Sequence, residues 1–248
     1  MTQQGWMVIT GGSSGIGAAT ATLAARRGYG VCVGYGHNQE RAAAVVETIR
    51  QEGGDALCHP VDVTNDESIA ALFATIDDRS APLTALVNGA AATPERTPLL
   101  DQNPAELRTT VDITLTSTLL CCRHALRRMA RSRGGQGGGI VTLSSQAATF
   151  GGNRLTPYAA AKAGINTLTL GLAREAGPEG VRVNCVSPGV IDSGPNTALT
   201  EEDRKRVEQS VALGRLGRRE EVAEAILWLL SAHSSYITGV VLPVAGGR

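Results

Sequence analysis

The chain has 248 residues, a formal net charge of zero from 23 basic and 23 acidic side chains, and only 3% aromatic residues. That length suits one large α/β domain with a sizeable core. With charge balanced and no like-charged arm or tail, nothing invites nucleic acid. Met1 to Gly5 lack the apolar core of a signal peptide, and the longest apolar stretches are strand-sized, so no membrane partner is expected. The cysteines (Cys32, Cys58, Cys121, Cys122 and Cys185) are odd in number, sit mostly in apolar runs and show no metal-type spacing. They read as core residues of a cytoplasmic protein that holds no metal.

Along the chain, apolar runs alternate with helical stretches, the pattern of βαβ units on a parallel sheet. Strands are predicted at Trp6–Thr10, Val31–Tyr35, Ala56–Val61, Leu83–Asn88, Gly139–Ser144, Val181–Ser187 and Gly239–Val244, with helices near 15–28, 38–52, 66–78, 103–132, 157–176 and 219–232. Seven strands with helices between them make a single-domain, mostly parallel, doubly wound α/β sheet of the Rossmann type. Its ligands are expected at the carboxyl ends of the strands. Gly134–Gly139 reads as a turn feeding the fifth strand, and no linker or repeat divides 1–248.

The first strand runs into Thr10-Gly11-Gly12-Ser13-Ser14-Gly15-Ile16-Gly17 and then an alanine-rich helix. In this strand–turn–helix, Gly11 permits a tight turn, Gly15 lets backbone approach a pyrophosphate, and Gly17 allows close helix packing. The phosphates would then face helix N-terminal amides. After the second strand the chain reads Val33-Gly34-Tyr35-Gly36-His37-Asn38, with no carboxylate before Glu40. A dinucleotide's 2′-phosphate would meet no repulsion there, and Tyr35, His37, Asn38 or Arg41 can donate to it, so NADP(H) is favoured over NAD(H). Asp62 follows the third strand and can accept from an adenine amino group. Its structural alternative is to cap the next helix, a task for which Asp66 looks better suited.

The reaction chemistry lies further on. Thr156-Pro157 reads as the N-cap and first turn of a helix on which Tyr158 and Lys162, four apart, share a face. A free phenol has a pKa of about 10. An ammonium nearby favours phenolate and lowers that value, making the tyrosine a usable acid/base. Ser145, thirteen residues before Tyr158, can donate to a substrate oxygen as charge builds on it.

Taken together these motifs resemble the classical short-chain dehydrogenase/reductase superfamily from end to end. The match runs through Thr10–Gly17, Asp62-Val63, Leu86-Val87-Asn88-Gly89-Ala90-Ala91, Ser144-Ser145, Tyr158-Ala-Ala-Ala-Lys162, Arg182–Gly189 and Thr238-Gly239…Gly246-Gly247. The resemblance implies a Rossmann fold, usually tetrameric, with Tyr158 as acid/base and Lys162 also holding the nicotinamide ribose. It implies that Ser145 orients the carbonyl and that Asp62 and Val63 flank adenine. Asn88 and Ala90 belong to the motif after the fourth strand, and Ile191 follows the Pro188-Gly189 turn to meet the carboxamide.

Three departures stand out. Thr114 occupies the place of the family's relay asparagine on the long fourth helix, with one hydroxyl where an amide offers two donors and an acceptor. The asparagine-asparagine-alanine-glycine motif becomes Asn88-Gly89-Ala90-Ala91, and the closing segment Val244-Ala245-Gly246-Gly247 has alanine where an acid is common.

The expected function is hydride transfer between NADP(H) and a carbonyl or secondary alcohol. A cofactor half spans about 1–140 and a catalytic half about 141–248, with a substrate lid near 191–213. Arg96 and Arg154 stand in the other substrate walls, where each can bind a carboxylate or remain a solvated loop residue. The alternatives are a cofactor-binding sensor with weakened catalysis, for which Thr114 speaks, and epimerisation or dehydration with retained cofactor. The resemblance implies a homotetramer, with a dimer as the alternative, using the helices at 103–132 and 157–176.

Overall fold

The computed structural model describes residues 4–92, 95–193 and 199–248. Strands β1 (Trp6–Thr10), β2 (Gly30–Tyr35), β3 (Ala56–Pro60), β4 (Leu83–Asn88), β5 (Gly138–Leu143), β6 (Val181–Pro188) and β7 (Val241–Val244) form one sheet. Its order is β3-β2-β1-β4-β5-β6-β7, and every neighbouring pair is parallel. The central strands are buried on both faces, which is why β1 reads as the unbroken apolar run Trp6-Met7-Val8-Ile9.

The helices are α1 (Gly15–Arg26), α2 (Gln39–Gln51), α3 (Asp66–Ala74), α4 (Pro104–Val111), α5 (Ser117–Met129), α6 (Ala147–Phe150), α7 (Thr156–Ala176), α8 (Glu201–Gln209) and α9 (Arg219–Leu230). One apolar layer joins Ala21, Ala24, Val46, Ile49, Val222 and Ile226 from α1, α2 and α9 to the sheet. The opposite layer brings Ile69, Phe73, Cys121, Met129 and Ala173 from α3, α5 and α7.

The chain winds outward from β1 to β3, then returns with β4 on the other side of β1, so the strand order reverses between β1 and β4. That reversal opens a crevice at the carboxyl edge. Register holds the edge level: Thr10 lies beside Gly34 and Asn88, Asn88 beside Thr142, and Thr142 beside Cys185.

Several expectations are corrected in detail. The helix expected over 103–132 is α4 and α5 joined by a π-helical turn, Asp112–Thr116, and it ends at Met129. α3 is capped by Asn65, whose side chain accepts from Ser68 N, so neither Asp62 nor Asp66 performs that task. Thr156 is the first residue of α7 and Leu155 precedes it without a side-chain cap. β5 ends at Leu143, leaving Ser144 and Ser145 beyond the strand, and β7 starts two residues later than Gly239. Within the expected lid the chain forms α8, capped by Thr200, which accepts from Asp203 N at 3.1 Å.

Candidate active site

The glycine turn after β1 is built around two close approaches. Gly11 has φ +66°, and a Cβ there would lie 2.8 Å from the Gly89 carbonyl oxygen. A Cβ on Gly17 would lie 2.2 Å from the Gly11 carbonyl oxygen, so α1 packs against the turn itself as well as the strand. Ser14, the N-cap residue of α1, makes no side-chain cap hydrogen bond, and the first turn carries no acid. Ser13, Gly15 and Ile16 complete this edge, and Ser193 from the segment after β6 stands 3.7 Å from where a Gly15 Cβ would be. The cradle, the bare helix start and the absence of acid fit the diphosphate of a dinucleotide.

At the end of β2 the expected donors divide. Tyr35 is buried in the apolar layer with Ile9 and Val46. Asn38 spends its side-chain oxygen capping α2, accepting from Arg41 N at 2.9 Å. His37 and Arg41 are exposed, and no acid shares this corner before Glu40. Beyond β3, Asp62 Oδ1 accepts from Thr64 Oγ1 at 2.7 Å and Thr64 N at 2.9 Å. Those bonds hold the carboxyl below its usual range, with nearby His37 adding to the effect. Val63, next to it, packs on the α3–α5 layer.

Ser145, Tyr158 and Lys162 come together at the ends of β5 and α7. Ser145 Oγ accepts from Ala147 N at 3.1 Å, which leaves its O–H free to donate. Lys162 is 3% exposed, and its Nζ donates to the Leu143 carbonyl at 2.5 Å. The same Nζ lies 5.6 Å from the centre of the Tyr158 ring. Burial pulls Lys162 down to about 8, opposed by Cys185. Burial pushes the Tyr158 phenol above its ordinary value, and the facing Ser145 hydroxyl partly offsets this. The net shift of the phenol is therefore upward, opposite to the lowering expected from the ammonium. The lysine's bond is spent on a backbone carbonyl, and desolvation dominates.

The neighbouring turns lock the edge. Thr10 Oγ1 accepts from Gly89 N and Ala90 N, both at 3.2 Å. Asn88 turns into the sheet–α5 layer, where Nδ2 donates to Cys122 Sγ at 3.3 Å and Oδ1 is buried without a partner. Gly189 N donates to Val244 O at 3.0 Å, fixing the Pro188-Gly189 turn, and Ile191 is buried and bridges to Gly217.

A family profile described as enoyl-(acyl carrier protein) reductase matches residues 11–248. The chain belongs to the classical short-chain dehydrogenase/reductase superfamily. It is 41% identical over 243 residues to an uncharacterized oxidoreductase, YgfF, of Escherichia coli, covering 97% of this chain and 98% of that one. It is 39% identical over 240 residues to a cis-4-hydroxycyclohexanecarboxylate dehydrogenase of Sinomonas cyclohexanicum, covering 97% and 94%. A solved short-chain dehydrogenase/reductase of Serratia marcescens superposes with a TM-score of 0.91 at 28% identity, covering 99% and 98%. Relatives of this family are named oxidoreductases, dehydrogenases and reductases, and the chain is an oxidoreductase of the short-chain dehydrogenase/reductase type.

Within that superfamily fold, Thr114 is fully buried on the π-helical turn, and its Oγ1 accepts from Ala92 N at 3.2 Å. Its carbonyl accepts from Thr118 Oγ1 at 2.9 Å. The threonine thus pins the turn after β4 to the helix. Arg96 likewise ties two loops, donating to the Asn153 carbonyl at 3.2 Å, while Thr97 N donates to the Arg154 carbonyl at 3.1 Å. Sequence reasoning missed the pairing of Gln146 with Ser187, which crosses from the turn after β5 to the end of β6. Their only signal was adjacency to Ser145 and Pro188, which says nothing about a hydrogen bond between them.

Proposed function

We propose that the protein is an NADP(H)-preferring carbonyl reductase or secondary-alcohol dehydrogenase in which Tyr158 is the general acid/base. The observation that carries this reading is the convergence of Ser145, Tyr158 and buried Lys162 beside a glycine cradle that has no carboxylate at the end of β2. Gly11, Ser13, Ser14, Gly15, Ile16 and Gly17 would hold the diphosphate. His37 and Arg41 would face the 2′-phosphate, Asp62 and Val63 the adenine, and Lys162 the nicotinamide ribose. Asn88 and Ala90 would line the crevice through their backbone, and Pro188, Gly189 and Ile191 would meet the carboxamide. When bound, NADP(H) supplies or accepts the hydride.

The chain's own residues handle the substrate oxygen. Ser145, with its oxygen already accepting from Ala147 N, donates its proton toward the carbonyl and holds it beside Tyr158. Tyr158 stays protonated near neutrality because it is buried, so it is poised to give its proton to an oxygen that gains negative charge. Lys162, its ammonium anchored on the Leu143 carbonyl and 5.6 Å from the centre of the Tyr158 ring, supplies positive charge beside the tyrosine. Thr114 pins the turn after β4 where the family places its relay asparagine. The substrate class is a small carbonyl compound or secondary alcohol, in keeping with the cyclic hydroxy acid in the name of the Sinomonas relative. The halves at about 1–140 and 141–248 divide cofactor from substrate, with α8 in the lid, and a homotetramer is the assembly carried over from the family.

The test is absorbance at the reduced nicotinamide band with a panel of ketones and cyclic alcohols, run with NADPH and NADH in parallel. Wild-type turnover with NADPH is expected, and Tyr158→Phe should lose about a thousandfold or more in kcat while binding NADPH as before. Turnover by Tyr158→Phe at the wild-type rate would sink the assignment.

A further inference from the structure

We propose that Gln146 is a positioning residue whose side-chain amide straps the Ser145 turn to the end of β6 and so holds the serine hydroxyl in place for the reaction. The inference rests on the reading of Ser145 given above.

The argument begins where β5 stops. Main-chain bonding to β6 continues past Leu143, as Ser144 N donates to Val186 O at 2.8 Å and Gln146 N to Pro188 O at 3.1 Å. Ser145 lies between these two ladder bonds, so its position depends on how firmly the turn is held on either side. Gln146 adds a second pair of bonds from its side chain, with Nε2 at 3.1 Å from Ser187 Oγ and 3.3 Å from the Ser187 carbonyl oxygen. A carbonyl only accepts, so the amide's nitrogen faces Ser187 and Oε1 faces away. Ser187 is 2% exposed and belongs to β6, which makes it a rigid anchor. The Gln146 carbonyl in turn starts α6, accepting from Thr149 N at 3.0 Å and Phe150 N at 3.1 Å.

Gln146 therefore sits at a junction. One side is the Ser145 hydroxyl, the other is the Pro188-Gly189 turn, and its amide makes two side-chain hydrogen bonds that tie them together. An apolar side chain would fill the same half-buried space without fixing the distance between the two turns. Small displacements of a reacting group cost rate steeply, so the strap is expected to act on kcat.

Three variants and one physical readout decide the matter. Gln146→Leu keeps the volume and removes the donor; kcat should fall about tenfold with KM little changed. Hydrogen–deuterium exchange should rise in the peptides covering 144–149 and 187–190. Gln146→Glu carries the sharper demand. A carboxylate cannot donate to Ser187, but a protonated carboxyl can, and facing a carbonyl raises its pKa above the usual value of about 4.3. The ratio of Gln146→Glu to wild-type kcat should therefore rise several-fold between pH 8 and pH 5, while the Gln146→Leu ratio stays flat. Gln146→Asn, too short to reach, should behave as Gln146→Leu does.

The proposal is overturned if Gln146→Leu retains kcat within twofold and its exchange is unaltered. It is equally overturned if Gln146→Glu shows no recovery on acidification, or if the loss falls on KM alone, which would mark a substrate contact. The exchange readout needs no substrate, so it decides the strap even where turnover is lost. A Tyr158→Phe enzyme that turned over normally would remove the catalytic reading and leave the exchange result standing.

Discussion

The two ends of the crevice treat charge in opposite ways. On the nucleotide side, α2 and α3 are finished helices: Asn38 and Asn65 cap them, and Glu40, Asp66 and Glu67 sit in their first turns. α1, between them and the reaction side, has no side-chain cap and no acid, and its leading turn is stripped of side chains at Gly11, Gly15 and Gly17. A positive helix end is left bare where a dinucleotide's phosphates would lie. On the reaction side nothing is withheld. A full ammonium, Lys162, is driven into the sheet–α7 layer and held by one carbonyl. One half makes its site by leaving groups out and the other by burying a charge, so the two should fail differently when perturbed.

The largest expected effect lies in the cradle. Gly17→Ala places a methyl 2.2 Å from the Gly11 carbonyl oxygen, which only a shift of backbone relieves. Cofactor affinity should fall about tenfold to a hundredfold by titration, with a stability loss of about 1–3 kcal/mol in denaturant melts. Affinity within twofold of wild type would show that the close approach is not what shapes the cradle.

Next in size is the cofactor preference. A side chain at Gly36 would meet nothing within 4 Å, so Gly36→Asp introduces a carboxylate without a clash. NADPH should bind at least about tenfold more weakly through like-charge repulsion, while NADH holds or improves. Equal losses for both cofactors would place the 2′-phosphate elsewhere.

The buried cation predicts a smaller, pH-dependent effect on stability. Lys162 falls from 10.5 in the unfolded chain to about 8 in the folded one, so its charged form is disfavoured by folding. That cost is fully present below pH 8 and is relieved as pH rises from 8 to 10.5. Lys162→Met removes the charge and also the bond to Leu143. The variant should therefore be more stable than wild type by about 1–2 kcal/mol at pH 7, with the advantage shrinking toward pH 10, while turnover is lost. A stability difference that is flat with pH would mean that the ammonium is not desolvated.

Much of this was legible before the fold. Unbroken apolar runs such as Trp6–Ile9 mark strands buried on both faces, and the glycine spacing and the four-residue step from Tyr158 to Lys162 depend only on local geometry. The π-helical turn at Asp112–Thr116 was not legible, because nothing in Asp-Ile-Thr-Leu-Thr distinguishes it from continuous helix. The fate of Tyr35 was also hidden: a tyrosine at a strand end looks like a donor until α2 packs over it. Thr114 could be read as a substitution, but its bond to Ala92 N depends on a turn 22 residues away in sequence.

By itself, the sequence determined the strand count, the family, the glycine cradle and the candidate trio Ser145, Tyr158 and Lys162, because each rests on periodicity or on residues close in the chain. Only the tertiary structure decided which polar groups remain available for chemistry. Asn38 and Asn65 were spent on caps, Asn88 on Cys122, Lys162 on a carbonyl and Gln146 on Ser187. A hydrogen-bonding group's partner is set by what folding brings within about 3 Å of it. For Asn88, Lys162 and Gln146 that distance is fixed by elements far apart in the chain.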